Sequence, residues 1–218
     1  MIPTLNAADT LPAALGALRT ALGIETVVVD GGSIDGTAAV AEAAGARVVF
    51  AAPGRGTQMA AGAAAATGEW LLFLHADCVL EPGWPDAVGA FMTAADGDHR
   101  AGYFDFALDD PAPAARRVER VVAWRCRVLG LPYGDQGLLI SRTLYGAVGG
   151  FAPLPLMEDV DLVRRLGCNR LAPVGARCVA SARRYRRGGY WRRPGRNLVC
   201  LSLYFIGVPP ARIARLYG

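Results

Sequence analysis

Acidic side chains stand at three places where a strand or helix is predicted to end or begin. Asp30 follows a β-branched run, Asp77 ends the apolar stretch W-L-L-F-L-H-A-D, and Glu158-Asp159 precede a helical pattern. In open α/β sheets, ligands bind beyond the carboxyl ends of the strands. Carboxylates there can hold a divalent cation or accept a proton, although the same acids could instead cap helices. The pattern predicts a ligand site, and helix capping by the same acids remains open as the alternative.

Strand and helix signals alternate through the first 80 residues. This alternation predicts right-handed βαβ units and a parallel sheet. The apolar run 71–74 suits a central strand covered on both faces. The predicted elements are a strand tail and turn in residues 1–6, strands at 26–29, 47–50 and from residue 70, and helices at 7–22, 37–44 and 57–66.

The rest of the chain is less regular. No internal repeat and no linker divides it, so the sequence predicts one α/β domain over residues 1–218. Residues 101–108 alternate like an edge or antiparallel strand. The other predicted elements are helices at 82–92, 116–129 and 158–166, a polar turn at 96–100, a loop and strand at 134–140, a strand at 173–179, an arginine-rich loop, and a closing helix from near residue 197 to residue 216.

Charge is unevenly distributed along the chain. All 23 basic residues are arginine, and residues 162–218 hold thirteen of them with no acid. The acidic body suits metal ions, whereas the basic tail suits a phosphate-bearing ligand or an anionic membrane surface. For the aromatic- and arginine-rich segment 183–193, a solvated basic face, a diphosphate clamp and a lipid contact with Trp191 at the headgroups remain open. Nucleic acid is not predicted, because no fold signature for it accompanies the segment.

Cysteine spacing and hydropathy indicate the compartment. The five cysteines are far apart and form no C-x-x-C pair, which favours a reducing cytoplasm. No secretory signal pattern opens the sequence. The longest strongly apolar stretch, residues 198–208, is shorter than the about 20 residues that a membrane span needs. We predict a cytoplasmic protein, either free or bound peripherally at the inner face of the membrane, and the apolar closing helix allows a homodimer.

Several segments resemble family 2 glycosyltransferases. Residues 30–37, D-G-G-S-I-D-G-T, resemble the family's D-G-S-x-D-G-T signature, and the opening I-P-T-L-N resembles its first-strand segment. The stretch ending at Asp77 lies where the family places its D-x-D metal motif. The segments L-H-A-D, G-D-Q-G and P-L-M-E-D resemble the branch described as radical SAM/selenodomain-associated transferases. The resemblance covers roughly the whole chain and implies a single GT-A-type, Rossmann-like domain with a mainly parallel mixed sheet flanked by helices.

The resemblance implies an inverting glycosyltransferase that moves a sugar from a nucleoside-diphosphate sugar, UDP- or GDP-linked, to an unidentified acceptor. Residues 1–80 would form the nucleotide-binding half, 81–180 the acceptor and catalytic half, and 181–218 a basic loop and C-terminal helix. The residues expected to contact the nucleotide are Pro3, Thr4, Leu5, Asn6, Asp30, Gly31, Arg55, Gln58, Ala76 and Asp77.

Mg²⁺ or Mn²⁺ would offset the charge of the diphosphate leaving group. Asp77 is the expected ligand of the cation. His75 is a second candidate ligand, since it stands where the D-x-D motif has its first acid. By the same resemblance, Asp159 would be the general base, and Glu158 would orient it or bind the acceptor. Asp135 and Gln136, in a loop before an apolar strand, are predicted to contact the acceptor or the donor sugar.

Other classes remain open. A nucleotidyltransferase can share this fold, but it usually carries a glycine- and lysine- or arginine-rich loop after the first strand, where this chain reads T-L-N-A-A-D. A methyltransferase would leave Asp77 and Asp159 without a purpose. The replacement at His75 favours a non-catalytic binding protein, whereas the retention of Asp77 and Asp159 argues against such a protein.

Overall fold

The first half of the chain forms a three-stranded parallel sheet with helices between its strands. The computed structural model describes residues 1–94 and 96–217. All pairings in this sheet are parallel, in the order β1-β2-β3. The strands are β1 (Ile2–Thr4), β2 (Val27–Asp30) and β3 (Arg47–Phe50), and the helices are α1 (Leu11–Leu18), α2 (Thr37–Ala43) and α3 (Arg55–Ala65).

A five-stranded sheet follows, with strand order β4-β7-β6-β8-β5. Its pairings are antiparallel except that between β6 and β8, which is parallel. The strands are β4 (Trp70–Phe73), β5 (Cys78–Leu80), β6 (Ala101–Leu108), β7 (Leu138–Ser141) and β8 (Leu171–Ala180). The associated helices are α4 (Trp84–Thr93), α5 (Pro113–Leu129), α6 (Arg142–Ala147), α7 (Glu158–Leu166), α8 (Arg183–Gly188), α9 (Arg192–Phe205) and α10 (Pro210–Tyr217).

Met1 joins the two sheets. Its amino group donates to the Leu72 carbonyl at 2.6 Å, and the Leu74 amide donates to the Met1 carbonyl at 3.0 Å. This is the bond pattern of parallel neighbours, so β4 lies between β1 and β7 at the centre of one twisted sheet. Leu71 and Phe73 are buried, as expected for a central strand. The carboxyl ends of β1, β2 and β4 therefore meet at one edge.

A close approach brings the start of α3 beside the segment that precedes α7. A Cβ atom on Gly56 would overlap the Ala152 carbonyl oxygen and lie 2.9 Å from the Leu154 amide. Only glycine permits this packing. As a result, Arg55 at the start of α3 reaches Glu158 at the start of α7.

Some predicted elements differ from the structure. Residues 101–108, predicted as an edge or antiparallel strand, pair antiparallel with β7, but β6 is not at an edge because it lies between β7 and β8. Of the helix predicted at 7–22, only α1 (Leu11–Leu18) is helical. The helix begins late because Asn6 takes a positive φ of 51° and residues 8–10 form a turn. Helix α6 was not predicted.

The arginine-rich segment and the closing helix also differ. Residues expected to form a loop make α8, and the closing helix is two helices, α9 and α10, separated where Gly207 takes a φ of 88° and Pro209 follows. Within residues 1–94 and 96–217, no helix is both long and apolar enough to cross a membrane. The predicted domain 1–218 includes Ala95 and Gly218, which lie outside the described residues.

Candidate functional site

A cavity of about 580 Å³ opens at the carboxyl end of β1, and we call it the β1 cavity. It is bounded by the segment after β1, the start of α3, the loop between β4 and β5, and α8. Most residues predicted to bind a nucleotide line it, namely Pro3, Thr4, Leu5, Asn6, Arg55, Gln58, Ala76 and Asp77. Three arginines of the basic segment, Arg183, Arg184 and Arg187, also line it. The cavity is therefore lined by four arginines, with Arg55, and by the carboxylate of Asp77.

Asp30 and Gly31 lie behind the wall of this cavity. Asp30 is buried, and its carboxylate accepts hydrogen bonds from the Ser33 amide at 3.1 Å and from the Ser33 hydroxyl. The Gly31 amide donates to the Thr4 carbonyl at 2.9 Å. These bonds hold the turn after β2 against β1, and the contact of both residues with a nucleotide stays a prediction.

Gln58 lines the cavity and also ties helix α3 to the sheet. Its Nε2 donates to the carbonyl oxygens of Thr4 and Val29, each at 2.8 Å. Because both amide protons are used, Gln58 can offer a ligand only its carbonyl oxygen.

A second cavity, of about 100 Å³, adjoins the first, and we call it the α7 cavity. It contains the carboxylates of Asp77, Asp135 and Asp159. The two cavities share Arg55, His75, Asp77, Ser181 and Arg184. A ligand can therefore extend from one cavity into the other past Asp77.

Asp159 is held at the start of α7 by two backbone amides. Its Oδ2 accepts from the Gly134 amide and its Oδ1 from the Val160 amide, each at 2.7 Å. Met157, just before the helix, takes a left-handed φ of 66°, an unfavourable conformation for a residue with a side chain. The carboxylate is consequently fixed in position beside the α7 cavity.

Glu158 is buried and does not line the α7 cavity. Its side chain is 2% exposed, and its Oε1 lies 3.1 Å from Nε of Arg55. Its Oε2 has no hydrogen-bond partner among the described residues. Burial, reinforced by the charge of Asp159 and opposed by Arg55, raises the pKa of Glu158 to about 7. Glu158 therefore positions Arg55 instead of lining the α7 cavity.

The loop 134–136 presents its two polar side chains in different directions. Asp135 lines the α7 cavity, and its buried Oδ1 lacks a partner within the described part of the chain. Burial raises the pKa of Asp135 to about 6, and the charges of Asp159 and Asp77 add to the rise while Arg125 opposes it.

Gln136 faces the core. Its Oε1 accepts from Arg125 Nη2 at 3.0 Å and from the Tyr133 amide at 3.2 Å, and its Nε2 donates to the Phe104 carbonyl at 3.1 Å. The predicted ligand contact of Gln136 is therefore not supported by its geometry. It supports the loop that carries Asp135.

Metal-binding atoms converge between β4 and β5. Ligand atoms of His75, Asp77 and Cys78 lie within 4.8 Å of one another. A hydrogen bond with Cys178 and burial raise the pKa of the Cys78 thiol well above its ordinary value, so the thiol stays protonated and is a poor ligand for Mg²⁺ or Mn²⁺. This leaves His75 and Asp77 as candidates.

The state of His75 fits a metal site. Burial and the nearby charge of Arg55 lower the pKa of His75 to about 4, so its ring is neutral at pH 7. Its buried Nε2 has no hydrogen-bond partner in residues 1–94 and 96–217. Together with the carboxylate of Asp77, this nitrogen is suited to a divalent cation of the Mn²⁺ or Mg²⁺ type.

Some residues of the site were not singled out from the sequence. Tyr133, Ser181 and Asn197 line the α7 cavity, and Gly134 contacts Asp159. Only Gly134 carried a signal, through its place in the G-D-Q-G segment. The others come from distant parts of the chain and have no local pattern that would identify them.

Comparison with known proteins matches residues 1–128 to the family model described as glycosyl transferase family 2. Comparison with curated protein sequences finds no match. Crystal structures of glucosyl-3-phosphoglycerate synthase from Mycobacterium tuberculosis are similar in fold. The complex with phosphoglyceric acid has a TM-score of 0.63 at 23% identity, covering 95% of this chain and 79% of that one. The complex with Mn²⁺, UDP-glucose and phosphoglyceric acid has a TM-score of 0.62 at 24% identity, with the same coverage.

Proposed function

Because this chain belongs to glycosyl transferase family 2, we propose that it transfers a sugar from a UDP- or GDP-linked donor to an acceptor hydroxyl, with inversion at the anomeric carbon. The observation that carries the proposal is the contact between the two cavities at Asp77. A donor with its nucleotide in the β1 cavity has its diphosphate at Asp77 and its sugar directed toward Asp159.

The donor is held mainly by the β1 cavity. The edge formed by residues 3–6 faces the nucleoside, and Arg55, Gln58 and Ala76 line the path toward the diphosphate. Arginines suit this task because a guanidinium binds phosphate oxygens in pairs. Arg183, Arg184 and Arg187 line the same cavity and supply such groups, which supports the diphosphate-clamp interpretation of the basic segment.

Asp77 and His75 would hold Mg²⁺ or Mn²⁺. Their neutral imidazole and carboxylate form a suitable donor set, and a similarly folded enzyme is described in complex with Mn²⁺ and UDP-glucose. The cation supplies charge neutralisation for the departing diphosphate. Asp77 also lies 4.0 Å from Nη2 of Arg184, so the arginine and the cation compete for the same carboxylate.

Asp159 acts as the general base. The bond between the acceptor oxygen and the anomeric carbon forms as the bond from that carbon to the diphosphate oxygen breaks, and the acceptor proton passes to Asp159. The Gly134 and Val160 amides hold the carboxylate in place before the reaction, which lowers the entropic cost of reaching the transition state. Asp135 faces the same space and would bind a hydroxyl of the donor sugar or of the acceptor.

The radical SAM/selenodomain-associated branch remains our assignment within the family. It is supported by the position of the resembling segments, since His75, Asp77, Asp135 and Asp159 all line the α7 cavity and Gly134 donates to Asp159. The cytoplasmic location, the homodimer and a peripheral membrane contact through the C-terminal arginine and aromatic segment stay predictions.

A thermal-shift screen tests the proposed function. UDP-, GDP-, CMP- and dTDP-sugars are compared with and without Mn²⁺, and a ligand at a hundredfold excess over its Kd should stabilise the fold by about 2.7 kcal/mol. We expect a UDP- or GDP-sugar to give the largest shift and the Asp77→Asn variant to lose the part that depends on Mn²⁺. No shift with any sugar nucleotide would contradict the proposal and favour a non-catalytic protein.

A further inference from the structure

A third cavity, the α5–α9 groove, lies between helix α5 and the segment 190–201, which includes most of α9. Its volume of about 770 Å³ falls within the range of about 300–1,000 Å³ that is usual for ligand sites. Large apolar side chains lining it are exposed: Trp191 by 75%, Leu198 by 63%, Val121 by 61% and Trp124 by 56%. An apolar surface of this kind commonly marks a binding site.

The exposed residues are not needed for the core. Helix α5 buries Val118, Val122 and Cys126 against the sheet, and this stripe already satisfies its packing. Val121 and Trp124 lie on the adjacent face, beside the groove. The helix therefore has a second apolar face, which a surface helix does not require.

The groove leads to the catalytic residues. Tyr133, Tyr185 and Asn197 line both the groove and the α7 cavity, which contains Asp159. The Oδ1 atom of Asn197 is buried and has no hydrogen-bond partner among the described residues. A buried acceptor without a partner is costly, so a donor group from a ligand would stabilise it at this junction.

The charged groups around the groove are all positive. Arg117, Arg120 and Arg125 line it, and the residues that form it in the described chain include no carboxylate. The Arg117 guanidinium lies 5.2 Å from the ring centre of Trp191 and bridges the two walls. In the adjoining α7 cavity, Arg184 and Arg193 lie among the carboxylates of Asp77, Asp135 and Asp159. An anionic ligand complements the arginines of the groove and a cationic one does not.

From these features we propose that the acceptor is an anionic amphiphile. Its apolar chain occupies the α5–α9 groove, its anionic head group lies near Arg184 and Arg193, and its nucleophilic hydroxyl faces Asp159. This inference rests on the proposed function, since it names the acceptor class for the same catalytic residues. A groove that opens into the catalytic cavity fits a substrate chain better than a flat membrane or a second subunit.

Binding of n-octyl phosphate, kept below its critical micelle concentration, tests the inference without a donor. Trp124 and Trp191 report binding through their fluorescence because both line the groove. We expect saturable binding of n-octyl phosphate and at least about tenfold weaker binding of n-octyltrimethylammonium, which has the same chain and the opposite charge.

Variants locate the site. The double variant Val121→Asn, Leu198→Asn makes the groove polar without adding charge, and both positions are exposed, so the fold should be retained. Leu22→Asn is the matched control, because Leu22 is 97% exposed and lies outside the groove. We expect the double variant to bind n-octyl phosphate about tenfold more weakly, owing to lost apolar burial, and the control to bind it normally.

Several results would overturn the inference. These are equal binding of the two amphiphiles, unchanged binding by the double variant, binding only to phosphatidylglycerol vesicles, or a dimer that the double variant converts to a monomer. The sugar-nucleotide thermal shift is measured on the same proteins. A missing nucleotide shift with normal amphiphile binding contradicts the proposed function, whereas a normal nucleotide shift without amphiphile binding contradicts only the acceptor class.

Discussion

The backbone amide of Gly134 donates a 2.7 Å hydrogen bond to Oδ2 of Asp159. The same glycine lies against His75, since a Cβ atom placed on it would be 2.6 Å from Nε2 of that ring and 3.4 Å from Oδ2 of Asp159. One residue without a side chain therefore sets the spacing between the proposed base and the proposed metal side of the site. The loop that carries it has to be positioned with the accuracy that catalysis requires.

The Gly134→Ala substitution should reduce turnover more than stability. The new methyl group would displace His75 or Asp159, at a cost of about 1–3 kcal/mol in packing strain. We expect nucleoside diphosphate release from the donor to fall by about a hundredfold, as is usual for a displaced catalytic group. Steady-state kinetics and thermal unfolding measure the two effects.

The Gly89→Ala variant is the control for this prediction. Gly89 lies inside α4, and a Cβ atom added to it would have no neighbouring atom of residues 1–94 and 96–217 within 4 Å. Alanine there should therefore stabilise the helix by about 0.5–1 kcal/mol and leave turnover unchanged. Full activity of Gly134→Ala would show that the spacing between His75 and Asp159 does not matter.

Glu158 makes stability depend on pH in a defined direction. Its folded pKa of about 7 exceeds the ordinary value of 4.5. Between these values the unfolded chain releases the proton while the folded chain keeps it, so the contribution of Glu158 to the free energy of unfolding falls as pH rises from about 4.5 to about 7 and then levels off. The loss is on the order of 3 kcal/mol.

The Glu158→Gln variant should lose this contribution, whereas the contributions of Asp135 and His75, whose pKa values are also shifted, should remain. Loss of the contact with Arg55 shifts its stability by a constant amount, so the test is the change with pH and not the absolute value. Chemical denaturation at several pH values between 4.5 and 8 measures it. Glu42→Gln, an exposed change in α2, should keep the slope of the unaltered protein. Equal slopes for Glu158→Gln and the unaltered protein would contradict the assigned pKa.

Arg184 should have opposite effects on metal and nucleotide. Its guanidinium is 4.0 Å from Asp77 and also lines the β1 cavity. Because the Arg184 side chain is 64% exposed and the pair is 4.0 Å apart, the interaction is worth about 1 kcal/mol or less, so Arg184→Ala should tighten binding of Mn²⁺ alone by about twofold to fivefold. The same change should weaken binding of UDP in the presence of Mn²⁺.

Arg187→Ala is the matched control, since Arg187 lines the β1 cavity without an ion pair to Asp77 in the described structure. It should weaken UDP binding and leave the affinity for Mn²⁺ unchanged. Calorimetric titration of each ligand separates the two effects. Weaker Mn²⁺ binding by Arg184→Ala would mean that Arg184 supports the metal site.

Local sequence signals predicted much of the fold. The strand 47–50 and helix α7 have the predicted bounds. For α7, the acids in its first turn and Gly167 after its last residue mark both ends. The alternation of residues 101–108 predicted an edge or antiparallel strand, and the antiparallel pairing with β7 is present while the edge position is not. In the structure both of its neighbours are strands, and pairing across the sheet is decided by segments far away in the sequence.

Gln136 shows why site residues are harder to predict than elements. Its amide is held by Arg125 from α5 and Phe104 from β6. Nothing in the neighbouring sequence indicates these partners, and without them a polar residue in a loop is expected to face a ligand. Asp135, one position earlier, has no such partners and does face the α7 cavity.

Asp159→Asn tests the central claim most directly. The variant is compared with Asp86→Asn, which removes an exposed acid from the first turn of α4 and so controls for the loss of a charge at a helix start. The measurement is the release of nucleoside diphosphate from the sugar nucleotide that gives the largest thermal shift. A general base contributes about a hundred- to ten-thousandfold, so we predict that loss of rate for Asp159→Asn with unchanged donor affinity, and a normal rate for Asp86→Asn. An unchanged rate for Asp159→Asn would contradict the assignment of Asp159 as the base.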